Sequence, residues 1–122
     1  MSSLGALFKE QILHYVTEEN QAKQLISKCQ HVAELEVHIA RIHLELEALT
    51  EQRRHLVQQI RRLRLKPHRQ PDEARAVFDQ LKANVSSVET LSRMQRELEQ
   101  EFYSYCNKLL LAMRNLETKH ST

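Results

Sequence analysis

Glycine occurs once in the 122 residues, proline twice, cysteine twice and tryptophan never. A chain this poor in turn formers, with only 5% aromatics, does not fit a strand-rich fold. Such folds need frequent tight turns and alternating Val, Ile, Thr and aromatic residues. A single glycine cannot build the Gly-rich loop that cradles phosphates. Two cysteines, Cys29 and Cys106, make no disulfide framework and are expected to be reduced thiols. No stretch approaches the roughly 18 apolar residues of a membrane span. The opening MSSLGALFKEQILHYV is interrupted by Lys9 and Glu10, so it does not read as a secretory signal. Gly5 does not stand at position 2, so the N-myristoylation pattern is absent. The expectation is a cytosolic or nuclear protein.

The length allows one domain at most. Charged residues make up 28%, with Leu, Glu, Gln, Arg and Ala prominent. That composition belongs to long helices and coiled coils. The net charge is only +2, so bulk charge does not make the molecule a polyanion binder.

Apolar residues recur at alternating spacings of three and four from Val32 to Leu63: Val32, Leu35, Ile39, Ile42, Leu46, Leu49, Leu56, Ile60 and Leu63. Arg53 is the one polar member of the series. A stripe that holds a 3.5-residue period faces a partner helix instead of drifting around its own. A second series comprises Val77, Leu81, Val88, Leu91, Leu98, Phe102, Tyr105, Leu109, Ala112 and Leu116, with Asn84 and Gln95 as its polar members.

KPHRQP separates the two series. Pro67 disfavours helical geometry at Lys66. Pro71 suits a first helical turn, and Asp72 and Glu73 behind it meet the helix dipole. The fold expected is all-α: a long antiparallel helical hairpin, or coiled coil, with a short N-terminal helix. Helix one spans about 20–66, the turn 67–71 and helix two about 71–118, so that 20–122 form the hairpin. Folding back at the prolines sets Ile60 opposite Val77, Leu56 opposite Leu81, Leu49 opposite Val88, Leu46 opposite Leu91, Ile39 opposite Leu98 and Leu35 opposite Phe102. The same register sets Arg53 opposite Asn84. Two heptad stripes always interleave in some register, but the meeting of their polar members is not automatic. A paired polar core group fixes register where an unpaired one costs stability. Gln95 falls opposite Ile42, with no such explanation.

Two features lie off the seam. Val37, Ala40, Leu44 and Ala48 form a second line on helix one, at spacings that share a face. This face is either scattered surface or a site where a further helix packs. A lone hairpin has a thin core, which favours assembly with other coiled-coil chains or a second copy. Residues 1–19 form a separate short amphipathic helix carrying Leu4, Leu7, Phe8, Ile12, Tyr15 and Val16, with Ser3 as a candidate cap. A break or stutter near residues 17–24 would follow from its different phase. This helix can pack back on the hairpin, bind a partner helix or lie on a membrane surface. Its polar face is not rich in Lys or Arg, which argues against the membrane.

No catalytic, cofactor or metal site is legible. The seven histidines form no HExxH motif, and there is no CxxC. Glu34/Glu36, Glu45/Glu47 and Glu97/Glu99/Glu101 stand two apart, diverge on a helix and read as solvated faces. The local charge lies at the hairpin tip: Arg53, Arg54, Arg61, Arg62, Arg64, Lys66, Arg69 and Arg75. Dipole compensation accounts for Arg62, Arg64 and Lys66. The surplus fits a solvated tip, an acidic protein surface such as that of tubulin, an acidic partner helix, or nucleic acid. No aromatic is interleaved to stack bases, which argues against single strands.

The stretch LEALTEQRRHLVQQIRRLRLKPHRQPDEARAVF, residues 46–78, resembles coiled-coil subunits of the augmin complex, nearest its second subunit. The likeness lies in LEAL followed by RR, then LKP, then PDEA opening the next helix. It implies a structural subunit of an assembly that recruits γ-tubulin to spindle microtubules. The expected function is thus a non-catalytic subunit of a hetero-oligomeric coiled-coil complex, cytoskeletal or spindle-associated, with other coiled-coil proteins as partners. A vesicle-tethering or organelle-positioning subunit and a chromatin-associated coiled coil using the basic tip are the alternatives.

Overall fold

The computed structural model describes residues 3–15, 19–65 and 71–121. They form three helices and, among the described residues, no strand: α1 (Leu4–Tyr15), α2 (Glu19–Leu65) and α3 (Pro71–Ser121). The fold is all-α, as the stripes predict. α3 opens on Pro71 with Asp72 and Glu73 in its first turn, and α2 closes with Arg62 and Arg64 in its last. Both ends therefore carry charges opposed to the helix dipole. Pro67 and residues 68–70 of the expected turn lie outside the described residues, as do 16–18; of the break expected near 17–24, residues 19–24 belong to α2.

The chain divides into two compact units: Met1–Ala40 with Arg96–Thr122 (unit 1), and Arg41–Gln95 (unit 2). This differs from the boundary expected after residue 19. The reason is that α1 is no separate segment but shares a core with the long helices. In unit 1, Phe8 and Ile12 of α1, Leu25, Cys29 and Val32 of α2, and Cys106, Leu109, Met113 and Leu116 of α3 form one buried cluster. Of the three locations open to α1, packing back on the long helices is the one observed.

Local chemistry fixes how α1 enters. The Ala6 amide donates to Ser3 Oγ at 3.1 Å, the N-cap bond that serines favour. The Leu4 amide donates to Glu36 Oε1 of α2 at 2.9 Å. A carboxylate from another helix thus satisfies an amide that the helical ladder leaves without an acceptor. Glu36 therefore departs from the solvated role expected of the paired carboxylates. Gly5 is buried, and a Cβ there would meet the Cys29 carbonyl oxygen at 2.3 Å and the Ala33 Cβ at 3.0 Å. The chain's one glycine lets α1 lie close against the backbone of α2.

Unit 2 is a two-helix hairpin held by α2 up to Leu65 and α3 from Pro71. At its centre Arg53 Nε donates to Asn84 Oδ1 at 3.1 Å. The Asn84 Nδ2 donates to the Leu49 carbonyl at 2.8 Å and to Gln52 Oε1 at 2.9 Å. Asn84 is 2% exposed, so these bonds meet the partner requirement of a buried amide. Arg53 and Asn84, polar members of the two stripes, meet as the register requires.

Candidate functional site

Heptad letters place every side chain of the long helices: seam residues are a and d, the columns beside them e and g, the outer ones b, c and f. None of the seam residues singled out above is exposed. Leu35, Ile42, Leu56 and Leu109 are buried; Ile39, Leu46, Leu49, Ile60, Leu81, Val88, Leu91, Leu98, Phe102 and Tyr105 are half-buried. The second face behaves differently. Val37 is 50% and Leu44 65% exposed, and Ala40 is exposed too. At the tip Arg61, Arg62 and Arg64 are exposed; Lys66 and Arg69 lie outside the described residues.

The structure adds core residues that the stripes alone do not single out. Cys106 and Met113, both in the e column of α3, are buried in unit 1. So is Cys29, in the e column of α2. They are buried because α1 lies along that flank: Phe8 and Ile12 belong to the same cluster. Burial pushes both thiols above the ordinary cysteine range. Lys9 acts against the rise at Cys29, while Glu36 adds to it at Cys106. Buried thiols kept protonated are poor nucleophiles and poor ligands, so they serve as core residues. On the opposite flank of unit 1, His31 Nε2 donates to Glu101 at 3.0 Å, and its ring lies 4.5 Å from that of Tyr105. These exposed and half-exposed polar contacts trim the seam and contribute little to stability.

In unit 2 the core is thin. Of the buried apolar side chains among the described residues, only Ile42, Leu56 and Val77 belong to it. Its g flank is polar: Gln59, Glu73 and Gln80 help line an open groove of about 410 Å³ beside Val77. Toward the turn its e flank carries Val57, half-buried, Phe78, 49% exposed, and Val85, 38% exposed; away from the turn the same columns hold the polar side chains of His43, Thr50 and Ser92.

Among the described residues no three His, Cys, Asp or Glu side chains are grouped to hold a metal ion. No described helix is long and apolar enough to cross a membrane. What the arrangement offers is helical surface with apolar side chains left outside the seam. No family model, curated protein or solved structure matches the chain.

Proposed function

We propose that the protein is a non-catalytic helical subunit of a hetero-oligomeric coiled-coil complex. The observation that carries this reading is the contrast between the two units. Unit 1 closes a three-helix core around Ile12, Val32 and Leu109, whereas among the described residues of unit 2 the only buried apolar side chains are Ile42, Leu56 and Val77. Small helical folds need extra burial to be stable, and assembly supplies it. The cytoskeleton, and the spindle in particular, is the setting we propose. The resemblance of residues 46–78 to augmin subunits and the exposed arginines at 61, 62 and 64 support it.

Affinity purification of the tagged chain from cells, followed by native mass measurement of the eluted complex, tests this reading. A defined complex containing other helical coiled-coil chains, stable through gel filtration, is expected. Recovery of the chain as a free monomer, with a sharp melt and no associated protein, would contradict it.

A further inference from the structure

In unit 1 the third helix lies on the e flank of the long helices, over Cys29, Cys106 and Met113. Taken by itself, unit 2 has the same kind of flank with no third helix among the described residues. Its e columns carry Val57 on α2 and Phe78 and Val85 on α3. Phe78 and Val85 stand one heptad apart, about 10 Å of helix at 1.5 Å per residue, and the register sets Val57 between them.

The rim of this flank has one sign near the turn. Arg54 and Arg61 occupy the b column of α2, Arg64 ends its e column, and Arg75 and Lys82 occupy the b column of α3; all five are exposed. Arg54 is engaged by Glu51 at 3.0 Å. Among the described residues the other four form no ion pair. Asp79 stands one column further out on α3. Away from the turn the same b columns change sign, to Glu47 on α2 and Glu89 on α3.

We propose that this flank of unit 2 docks an amphipathic helix of a partner protein. The apolar stripe of that helix covers Val57, Phe78 and Val85, and its flanking residues are acidic over the two heptads nearest the turn. The proposal rests on the subunit reading above and names the class of partner. An apolar centre half-exposed between basic columns is what a helix-in-groove contact requires. The centre supplies the burial, while the rim sets orientation and excludes wrongly charged helices. Arginine forks suit carboxylates better than lysines do. Nucleic acid would satisfy the rim but leave Phe78 and Val85 uncovered, since phosphates bury no apolar side chain.

The test uses the full chain and two labelled synthetic helices with the same leucine stripe, one flanked by Glu and one by Lys, with binding read as fluorescence anisotropy. The Glu-flanked helix is expected to bind saturably, and the Lys-flanked one at least about ten-fold more weakly, a difference of roughly 1.4 kcal/mol. F78S/V85S and R61E/R64E are each expected to weaken binding by about ten-fold or more, with helicity by circular dichroism unchanged. R62E, on the g-flank groove, is expected to leave it within about two-fold.

Four outcomes overturn the proposal. The Glu-flanked helix fails to bind. Or F78S/V85S binds it undiminished, leaving electrostatics alone. Or the chain without peptide sediments as a dimer that F78S/V85S abolishes, making a second copy the occupant. Or duplex DNA displaces the helix at equal concentration and R61E/R64E abolishes DNA binding. A chain recovered in a hetero-oligomer that still ignores the Glu-flanked helix overturns this docking site and leaves the subunit reading standing.

Discussion

Replacing Ile12 by alanine is expected to remove about 2–5 kcal/mol from the stability of unit 1, the usual cost of truncating a fully buried aliphatic side chain. Ile12 is 0% exposed and lies in the cluster with Val32 and Leu109. Its neighbour Leu13 is 57% exposed, so L13A should stay within about 0.5 kcal/mol of the parent. Gly5→Ala makes the sharper test, because two effects oppose each other. Alanine is the better helix former by about 1 kcal/mol, which alone would stabilise α1. A Cβ at 2.3 Å from the Cys29 carbonyl oxygen forces α1 off α2, and overpacking of this kind costs about 1–3 kcal/mol. The steric effect should win, because the obstacle is backbone and cannot rotate away. Urea midpoints for the three variants check all of this. A Gly5→Ala chain more stable than the parent would mean that α1 does not dock as described.

The second large effect is expected at Asn84. Asn84→Leu removes the acceptor of Arg53 and the donor to Leu49 and Gln52. The half-buried Arg53 guanidinium is left without its acceptor, at a cost of about 1–3 kcal/mol. Replacing both residues by leucine should restore stability or exceed the parent, since apolar pairs of similar volume often outperform buried polar ones. What the double variant should lose is register. In a background lacking Cys29 and Cys106, L49C with V88C should crosslink within one chain. In that background, L49C with L81C or Q95C, one heptad away, should crosslink only after Arg53 and Asn84 have both become leucine. Thiol crosslinking with mass analysis of the products reads both results. Crosslinks to all three positions in the parent would show that the polar pair does not set register.

The long helices were legible because two stripes with a 3.5-residue period, interrupted by prolines, leave few other folds open. Opposing the stripes also placed Arg53 on Asn84, where the structure has them 3.1 Å apart. The position of α1 was less accessible. Its apolar residues showed that it buries a face but not against what. The clues were a lone glycine in the first turn of a helix and the apolar e-column residues Cys29, Cys106 and Met113, which a two-helix seam does not need. Read by column and not by a/d series alone, those residues would have called for a third helix beside 29–36 and 106–113. Glu36 could not have been read as a cap for Leu4, because that bond joins residues 32 apart in sequence. The second line of helix one was visible as spacing, and the structure leaves Val37 and Leu44 in solvent.

Amide hydrogen exchange on the isolated chain, resolved by peptide, tests the central claim that one unit closes its own core and the other needs a partner. Protection is expected to be high and long-lived in residues 25–35 and 106–116, which pack on α1. It should be low across 44–63 and 74–92, whose thin seam opens locally at small free-energy cost. Equal, strong protection along both units in a monomeric chain would contradict the account, because unit 2 would then be complete without any other helix.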